Sequence, residues 1–278
     1  MTTSTNEQSA AATAGNNGFS LISSVKLLQL YATMVKCRKL AERAHALFPQ
    51  GKLDINAAIG QEAAAVGVAI DLLPEDTVAA APRDLIVNFI HGEPLNLLFA
   101  RLSSRAAQPD QFKLALSAAL ANKTAKNGRI AVAFSSDDSA PSGLWREALS
   151  QAGTLQLPIL FVCPTQLSPQ PQHRKQQTGG EEIAAQVCGI PCIPVDGHDV
   201  VAVYRVATEA IAHARKGNGA TLIECSFDRS TAHDPFLKME AYLTRKGLFS
   251  VGWKRKVATG FTRELDAAVE AGTAVLNY

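Results

Sequence analysis

This chain of 278 residues lacks the features that mark several large classes of protein. Its five cysteines are odd in number, form no disulfide framework and are not followed by cysteines or histidines at zinc-binding spacing. No apolar run approaches the roughly 20 residues that a membrane-spanning helix needs. No Ser-His-Asp or Cys-His nucleophilic set is recognisable. These absences argue against a disulfide-rich secreted protein, a membrane protein and a triad hydrolase, and they predict a cytoplasmic location.

Charge is also scarce, because charged residues make up 19% of the chain and the formal net charge is +2. No basic stripe interleaves with aromatic residues, so the sequence does not predict a nucleic-acid surface. The densest basic run, Lys254-Arg255-Lys256, is typical of a solvated helix face. Residues 1–20 are rich in Ser, Thr, Ala and Asn and lack an apolar signal segment, which predicts a disordered arm before a single domain at 21–278.

Hydrophobic periodicity changes along the domain. Helical spacing predicts helices at 21–48, 61–72, 111–125, 144–155, 181–188, 200–215 and 235–278, and short apolar runs predict strands at 130–134, 159–163, 192–195 and 220–225. Small residues such as Gly67 in the second helix should permit close helix packing. Alternating strands and helices favour an α/β fold with a mostly parallel sheet flanked by helices, after an N-terminal helical lead-in.

Ligands on such sheets bind beyond the carboxyl ends of the strands, so the loops beginning at Ser135, Pro164, Asp196 and Ser226 are the places to look. Asp137 and Gln166 follow two successive strands, and the fold should bring them close together. A carboxylate and a side-chain carbonyl oxygen suit Mg²⁺, particularly beside a diphosphate. A turn or helix-capping role for Asp137 or Asp138 is an equally good interpretation of this spacing alone.

The order of several short motifs resembles the alpha subunit of the thiamine-diphosphate-dependent decarboxylating component of 2-oxo acid dehydrogenases, of pyruvate or branched-chain type. The resemblance covers about nine-tenths of the chain, from residue 21 onward. The matching segments are Leu27-Leu-Gln-Leu-Tyr-Ala-Thr-Met-Val-Lys-Cys-Arg38, Gly60-Gln-Glu-Ala-Ala-Ala-Val-Gly67, Arg83-Asp84, His91-Gly92, Gly143-Leu-Trp-Arg-Glu-Ala-Leu149, Leu157-Pro-Ile-Leu-Phe-Val162, Val195-Asp-Gly-His-Asp199, Leu222-Ile-Glu224, Arg229 and His233-Asp-Pro235.

The resemblance implies a thiamine-diphosphate-binding type of fold, with thiamine diphosphate and magnesium as cofactors. It places Asp137 and Gln166 at the metal and the cofactor, Arg83 at the diphosphate and His233 near the mouth of the active site. A surface or capping role for Arg83, and a solvated loop position for His233, are the simpler alternatives. The implied partners are a beta-type subunit or a homodimer, and a lipoyl-bearing acyltransferase that accepts the acyl group.

The sequence departs from the family pattern around the cofactor motif. Ser136-Asp137-Asp138 stands where the family has Gly-Asp-Gly, and Thr165-Gln166 stands where it has paired Asn residues. The Gly-rich loop with an active-site Met-His has no counterpart between His91 and Arg129. If Asp138 faces a diphosphate, two like charges ~4 Å apart at an effective dielectric of ~20 repel by about 4 kcal/mol.

Three functions are consistent with these observations. The first is an alpha-subunit-like part of a 2-oxo acid dehydrogenase with an altered cofactor site, an oxidoreductase with a disulfide as acceptor if it is active. The second is a catalytically inactive structural or regulatory relative that does not bind thiamine diphosphate. The third is a protein that binds another anion or a nucleotide at the same strand ends.

Overall fold

The computed structural model describes residues 22–47, 59–81, 84–103, 110–135, 143–167, 188–228 and 234–276. The helices are α1 (Ser24–Leu47), α2 (Glu62–Ala69), α3 (Leu85–Ile90), α4 (Leu95–Ser103), α5 (Gln111–Ala125), α6 (Gly143–Thr154), α7 (Val200–Arg215), α8 (Pro235–Arg245) and α9 (Val251–Leu276). The strands are β1 (Thr77–Ala79), β2 (Ala131–Phe134), β3 (Ile159–Leu167), β4 (Cys192–Asp196) and β5 (Thr221–Asp228).

The strands form one five-stranded sheet in the order β1-β2-β3-β5-β4, and every neighbouring pair is parallel. Strand β2 is buried at all four positions because helices cover both faces of the sheet. The α/β class and the parallel sheet are as the sequence predicts. All strands therefore end at one edge, the carboxyl edge, and begin at the opposite amino edge.

Several element boundaries differ from the prediction. The strand β1 and the helices α3 and α4 were not predicted, since three strand residues and a six-residue helix give too short a periodic signal. Strands β3 and β5 run on past the predicted ends because they pair with each other as far as Leu167 and Asp228, so the loops predicted to begin at Pro164 and Ser226 are wrong. The predicted arm and the predicted helix at 181–188 lie outside the described residues, except that Cys188 is in a turn.

One face of the sheet packs against α5 and α6 through edge-to-face contacts between aromatic rings. The Trp145 ring lies edge-on to Phe112 at 5.2 Å between centroids and to Phe161 of β3 at 5.3 Å. Trp145 is fully buried, so truncating it to alanine would cost about 3–5 kcal/mol. This cluster holds two helices and a central strand in place.

The other face packs against α2 and α7, which approach each other closely at Gly67. A Cβ at Gly67 would lie 2.7 Å from Cγ1 of Val203, a distance that atoms in contact do not reach. The prediction of close helix packing at this small residue is confirmed. This contact seats α2 beside the carboxyl edge of the sheet.

The lead-in helix α1 packs against the C-terminal helices. The buried Tyr31 ring contacts Phe236 of α8 and stacks with Trp253 of α9, at centroid distances of 6.0 and 5.8 Å. Phe261 of α9 lies 5.2 Å from the ring of Phe89 in α3. None of the helices in the described ranges combines the length and the apolarity that crossing a membrane requires.

Candidate active site

A cleft opens at the carboxyl edge, where α2 and the start of α3 face the ends of β2, β3 and β5. We call it the carboxyl-edge cleft, and its volume is about 50 Å³. Its walls are mostly apolar, and three polar residues, Gln61, Asp84 and Ser135, also line it. The apolar lining is formed by Ala64, Ala65, Ile86, Val87, Phe134, Val162, Pro164, Cys225 and Phe227.

The loop after β2 is held to β3 at the point where it leaves the sheet. The backbone N–H and the hydroxyl of Ser135 both donate to the carbonyl of Val162, at 2.9 and 3.3 Å. The side-chain amide of Gln111 donates to the carbonyl of Phe134 at 2.9 Å. The chain therefore enters 136–138, the segment with the candidate metal ligand, from a fixed position.

Asp84 is the N-cap of α3 and presents a partly buried carboxyl to the cleft. Its side chain accepts a hydrogen bond from the N–H of Val87 at 3.3 Å. Burial raises the pKa of Asp84 from its ordinary 3.8 to about 6, against the lowering effect of the backbone donors. No cation among the described residues contributes to this pKa. A carboxyl with this pKa exchanges a proton slightly below neutral pH.

Strand β5 contains two neighbouring buried groups, of which Cys225 lines the cleft and Glu224 does not. Burial raises the pKa of Cys225 to about 12, so its thiol remains protonated and is a poor nucleophile at neutral pH. The carboxyl of Glu224 is 3% exposed and accepts a hydrogen bond from the hydroxyl of Thr165 at 3.0 Å. Thr165 stands where the resembled family has an asparagine, and its hydroxyl is used within the protein.

An ion-pair cluster fixes the start of α2 and the start of α8. Glu62 is fully buried and its carboxyl binds the Arg38 guanidinium through two contacts, of which the Nη2–Oε2 contact is 3.2 Å. Glu62 also accepts from the N–H of Gly60 at 2.9 Å. Arg38 reaches Asp234, the N-cap of α8, at 3.5 Å. Glu62 is thus part of a packing interface at the start of α2, and the cluster anchors the chain at Asp234.

A turn follows β4 directly, where the sequence places the start of a loop at Asp196. Asp196 accepts from the N–H of His198 at 2.9 Å, and Lys238 of α8 binds Asp196 and Asp199 at 2.6 and 3.0 Å. Burial acts to raise the pKa of Asp196, but the bonds from Lys238 and the His198 backbone outweigh it and lower the pKa. A Cβ at Gly197 would come within 2.5 Å of the Phe227 ring, so glycine is required there.

Most of the site residues predicted from sequence lie where the structure describes nothing. Arg83, Asp137 and His233 are outside the described residues, and for Gln166 only the backbone is described. Gln166 lies inside β3, in register with Phe227 of β5, and not in the loop expected there. Strands β2 and β3 are neighbours, with Phe134 at the end of β2 opposite Val162, and β3 continues beyond this point to Leu167. That Asp137 and Gln166 lie close together stays a prediction.

The sequence reasoning identified neither Asp84 as an acid of the cleft nor Glu224 as a buried acid of β5. An Asp directly before Leu85-Ile-Val is a capping signal that could have located the start of α3. The burial of Glu224 had no such local signal. Within the described residues no group of three or more His, Cys, Asp or Glu side chains is arranged to hold a metal ion.

Several known proteins, all alpha subunits, are similar in sequence to this chain. The sequence model of the family described as dehydrogenase E1 component matches residues 106–268. Subunit alpha of acetoin:2,6-dichlorophenolindophenol oxidoreductase from Bacillus subtilis is 29% identical, covering 75% of this chain and 71% of that protein. The pyruvate dehydrogenase E1 component subunit alpha of B. subtilis is 29% identical, covering 90% of this chain and 78% of the relative. The same subunit from Staphylococcus aureus is 28% identical, and the match covers 88% of this chain and 77% of the relative.

Among solved structures, a transketolase from Pichia stipitis superposes with a TM-score of 0.54 at 15% sequence identity. The match covers 91% of this chain and 45% of the transketolase chain, so the chain spans less than half of that protein's length. A second mutant of the same transketolase gives the same TM-score at 16% identity. At this level of identity the likeness concerns the fold, and it confirms the type of α/β fold that the sequence predicts.

Proposed function

Because this chain belongs to the dehydrogenase E1 component family, whose model matches more than half of it, we propose that it is the alpha-type subunit of a thiamine-diphosphate-dependent 2-oxo acid dehydrogenase with an altered cofactor site. The reaction would be oxidative decarboxylation of a 2-oxo acid with transfer of the acyl group to a lipoyl disulfide. Its cytoplasmic location remains a prediction from the pattern of cysteines.

The observation that carries this proposal is the position of the carboxyl-edge cleft. It lies at the carboxyl edge, between β2 and β3 and the start of α3. Strand β2 leads into Asp137, and strand β3 contains Gln166. Parallel α/β sheets bind ligands at this edge. The proposed cofactor ligands belong to the segments that lead to this edge.

The described part of the cleft is large enough to enclose only a portion of thiamine diphosphate. A volume of about 50 Å³ is well below the roughly 300 Å³ at which pockets begin to enclose a ligand of this size. Asp137 and Gln166 would hold a magnesium ion through oxygen atoms, and Arg83 would bind the diphosphate. The cofactor, when bound, would supply the electron sink for decarboxylation. Asp84, with its pKa of about 6, would hold or release a proton at the cleft wall.

The small cleft also supports a partner chain. The described residues enclose only part of the cofactor, and a beta-type subunit is the partner proposed to supply further surface around it. A second copy of this chain is the alternative source of that surface. A lipoyl-bearing acyltransferase would then approach the assembled site to collect the acyl group.

Cofactor binding is tested by thermal unfolding. Thiamine diphosphate with magnesium should raise the Tm of the chain mixed with a beta-type partner, because a ligand that binds the native state stabilises it by mass action. A concentration of about 100 times the Kd adds about 2.7 kcal/mol. Thiamine with pyrophosphate, added as separate molecules, is the control. An unchanged Tm at millimolar cofactor, with and without the partner, would contradict the proposal.

A second candidate is a catalytically inactive relative that keeps the fold and does not bind the cofactor. It is favoured by Thr165, whose hydroxyl is bonded to Glu224, and by Asp138 in place of the family glycine. The double substitution Asp138→Gly with Gln166→Asn separates the two candidates. If charge and arm length are the obstacle, affinity should rise by up to about a thousandfold, equivalent to about 4 kcal/mol.

Asp138→Asn with Gln166→Asn is the matched control, since it removes the charge but keeps a Cβ near the diphosphate. A gain in both variants would identify repulsion as the cause, and a gain in the glycine variant alone would identify backbone approach. No gain in either variant would assign the loss to the shortened segment between His91 and Arg129, and would favour the inactive relative.

A further inference from the structure

A second and larger cleft lies at the amino edge of the sheet, on the opposite side from the candidate active site. Three of its residues, Arg129, Pro158 and Lys216, lie where the chain enters β2, enters β3 and leaves α7. We call it the amino-edge cleft, and its volume is about 370 Å³, within the range of pockets for small ligands. The other lining residues are Asn122, Lys123, Lys126, Gly128, Gln156, Ala214, Arg215 and Gly217.

The lining contains five basic residues and no acidic residue. Two of the five are engaged within the protein. Arg215 binds the buried carboxyl of Asp76 at 2.5 and 3.0 Å, and Lys123 donates to the carbonyls of Leu155 and Gln156 at 2.6 and 3.2 Å.

The other three, Lys126, Arg129 and Lys216, are exposed. None of the ion pairs found among the described residues involves them. Their charges therefore remain directed at solvent in and around the cleft.

An ordinary structural role for these cations has to be weighed first. Helices α5, α6 and α7 all end at the cleft, and each helix C-terminus carries about half a negative charge. Asp76 contributes one more negative charge, which Arg215 meets directly. The three helix ends and Asp76 offset about half of the five positive charges, and about two and a half remain. The cations thus exceed what the helix ends require.

We propose that the amino-edge cleft binds a small anion that carries two or more negative charges, of the chemical class of phosphate esters and diphosphates. The concave shape and the volume favour a small molecule over a flat macromolecular surface. The site lies across the sheet from the candidate active site, so it does not depend on the proposed dehydrogenase function.

The test measures binding of ADP, inorganic pyrophosphate and inorganic phosphate to the full chain by isothermal titration calorimetry. Magnesium is removed with EDTA, and ionic strength is held constant with NaCl. One site per chain is expected, with ADP and pyrophosphate binding at least tenfold more tightly than phosphate. Adenosine, which lacks the charge, should not bind.

Arg129→Gln with Lys216→Gln should weaken ADP binding by about tenfold, because two ion pairs are lost at an exposed site. Arg255→Gln with Lys256→Gln is the matched control, since it removes the same charge from the exposed face of α9. Tm values of the free variants show that both remain folded.

Equal weakening in the two double variants would overturn the proposal, because binding would then follow net charge alone. If ADP raises the Tm of the chain only as much as NaCl does at the same ionic strength, the proposal is overturned as well. Binding of heparin or poly-glutamate without binding of ADP or pyrophosphate would replace the small-anion site with a docking surface for a macromolecule. Comparison of ADP with pyrophosphate shows whether the base contributes or the diphosphate alone is recognised.

Discussion

The two edges of the sheet differ in charge and in how their polar groups are satisfied. At the amino edge the buried carboxyl of Asp76 has an arginine and two backbone donors, and excess cations surround it. At the carboxyl edge the partners of Asp84 among the described residues are backbone donors alone, and burial raises its pKa to about 6. At the amino edge the carboxyl of Asp76 is paired with a cation. At the carboxyl edge the carboxyl of Asp84 destabilises the fold when it is ionised. This is the pattern expected of an edge that receives cations or a partner from outside.

The largest expected effect comes from breaking the ion pair at the amino edge. Arg215→Leu leaves the fully buried Asp76 carboxyl without its cation and should lower the free energy of unfolding by about 3 kcal/mol. Arg205→Leu, on the same helix but exposed and without an ion pair among the described residues, should change it by less than about 0.5 kcal/mol. Urea unfolding at pH 7 measures both. A loss below about 1 kcal/mol in Arg215→Leu would show that the pair does not sustain this edge.

The next effect concerns Asp84 at the carboxyl edge and has the opposite sign. Its folded pKa of about 6 exceeds the ordinary 3.8, so its ionisation costs stability as the pH rises through this interval. Asp84→Asn keeps the capping oxygen and should raise the free energy of unfolding at neutral pH by about 2 kcal/mol. Unfolding curves between about pH 4 and pH 7.5 should show this gain shrinking towards the acid side.

Asp110→Asn is the matched control, because Asp110 caps α5 in the same manner but lies outside the carboxyl-edge cleft. A gain for Asp84→Asn that does not change with pH would mean that ionisation of this carboxyl is not the cause. The difference between the two edges would then lie in packing and not in charge.

A smaller loss is expected from Thr165→Val, which removes the hydroxyl donor to the buried Glu224. The free energy of unfolding should fall by about 1 kcal/mol, the usual size of one such hydrogen bond. Thr262→Val removes a hydroxyl that bonds to a carbonyl of its own helix, and it should cost less. Chemical unfolding of the two variants measures the difference. Equal losses would indicate that Thr165 contributes nothing specific to the carboxyl edge.

The smallest effect is a gain at the amino edge. Lys126 ends α5 with a φ of 50°, a left-handed conformation that glycine adopts at less cost. Lys126→Gly should therefore raise the free energy of unfolding by about 0.5 kcal/mol. Lys216→Gly removes the same charge at the end of α7, where φ is −75°, and should not stabilise. A similar gain in both variants would assign it to relief of charge repulsion in the amino-edge cleft.

Local patterns predicted most of the sheet. The apolar runs that became β2, β3 and β5 could be recognised because a strand buried on both faces needs four or five consecutive apolar residues. The run that became β4 was also predicted, although this edge strand is only partly buried. The three-residue β1 could not, because Thr77–Ala79 becomes a strand only by pairing with Ala131–Ala133. The extension of β3 through Pro164 likewise depends on β5, which is its partner across Leu160–Leu167.

The candidate site was predictable in outline. The sequence predicted that β2 and β3 lie close together in a parallel sheet, because order along the chain and parallel pairing determine it. It did not identify Asp84 as the acid of the cleft wall, since the burial that raises its pKa comes from elements distant in the chain. The roles predicted for Arg83, Asp137 and His233, and for the side chain of Gln166, remain predictions.

The sequence by itself determined the α/β class, the parallel sheet, the resemblance to the E1 component family and the segments that would carry a cofactor. These depend on periodicity and on short motifs, which are local along the chain. Only the tertiary structure decided the charge of the two edges, because each edge collects residues from distant segments. Asp76 and Arg215 are 139 positions apart, and Thr165 and Glu224 are 59 apart. Their contacts depend on chain crossings between strands, which no local pattern encodes.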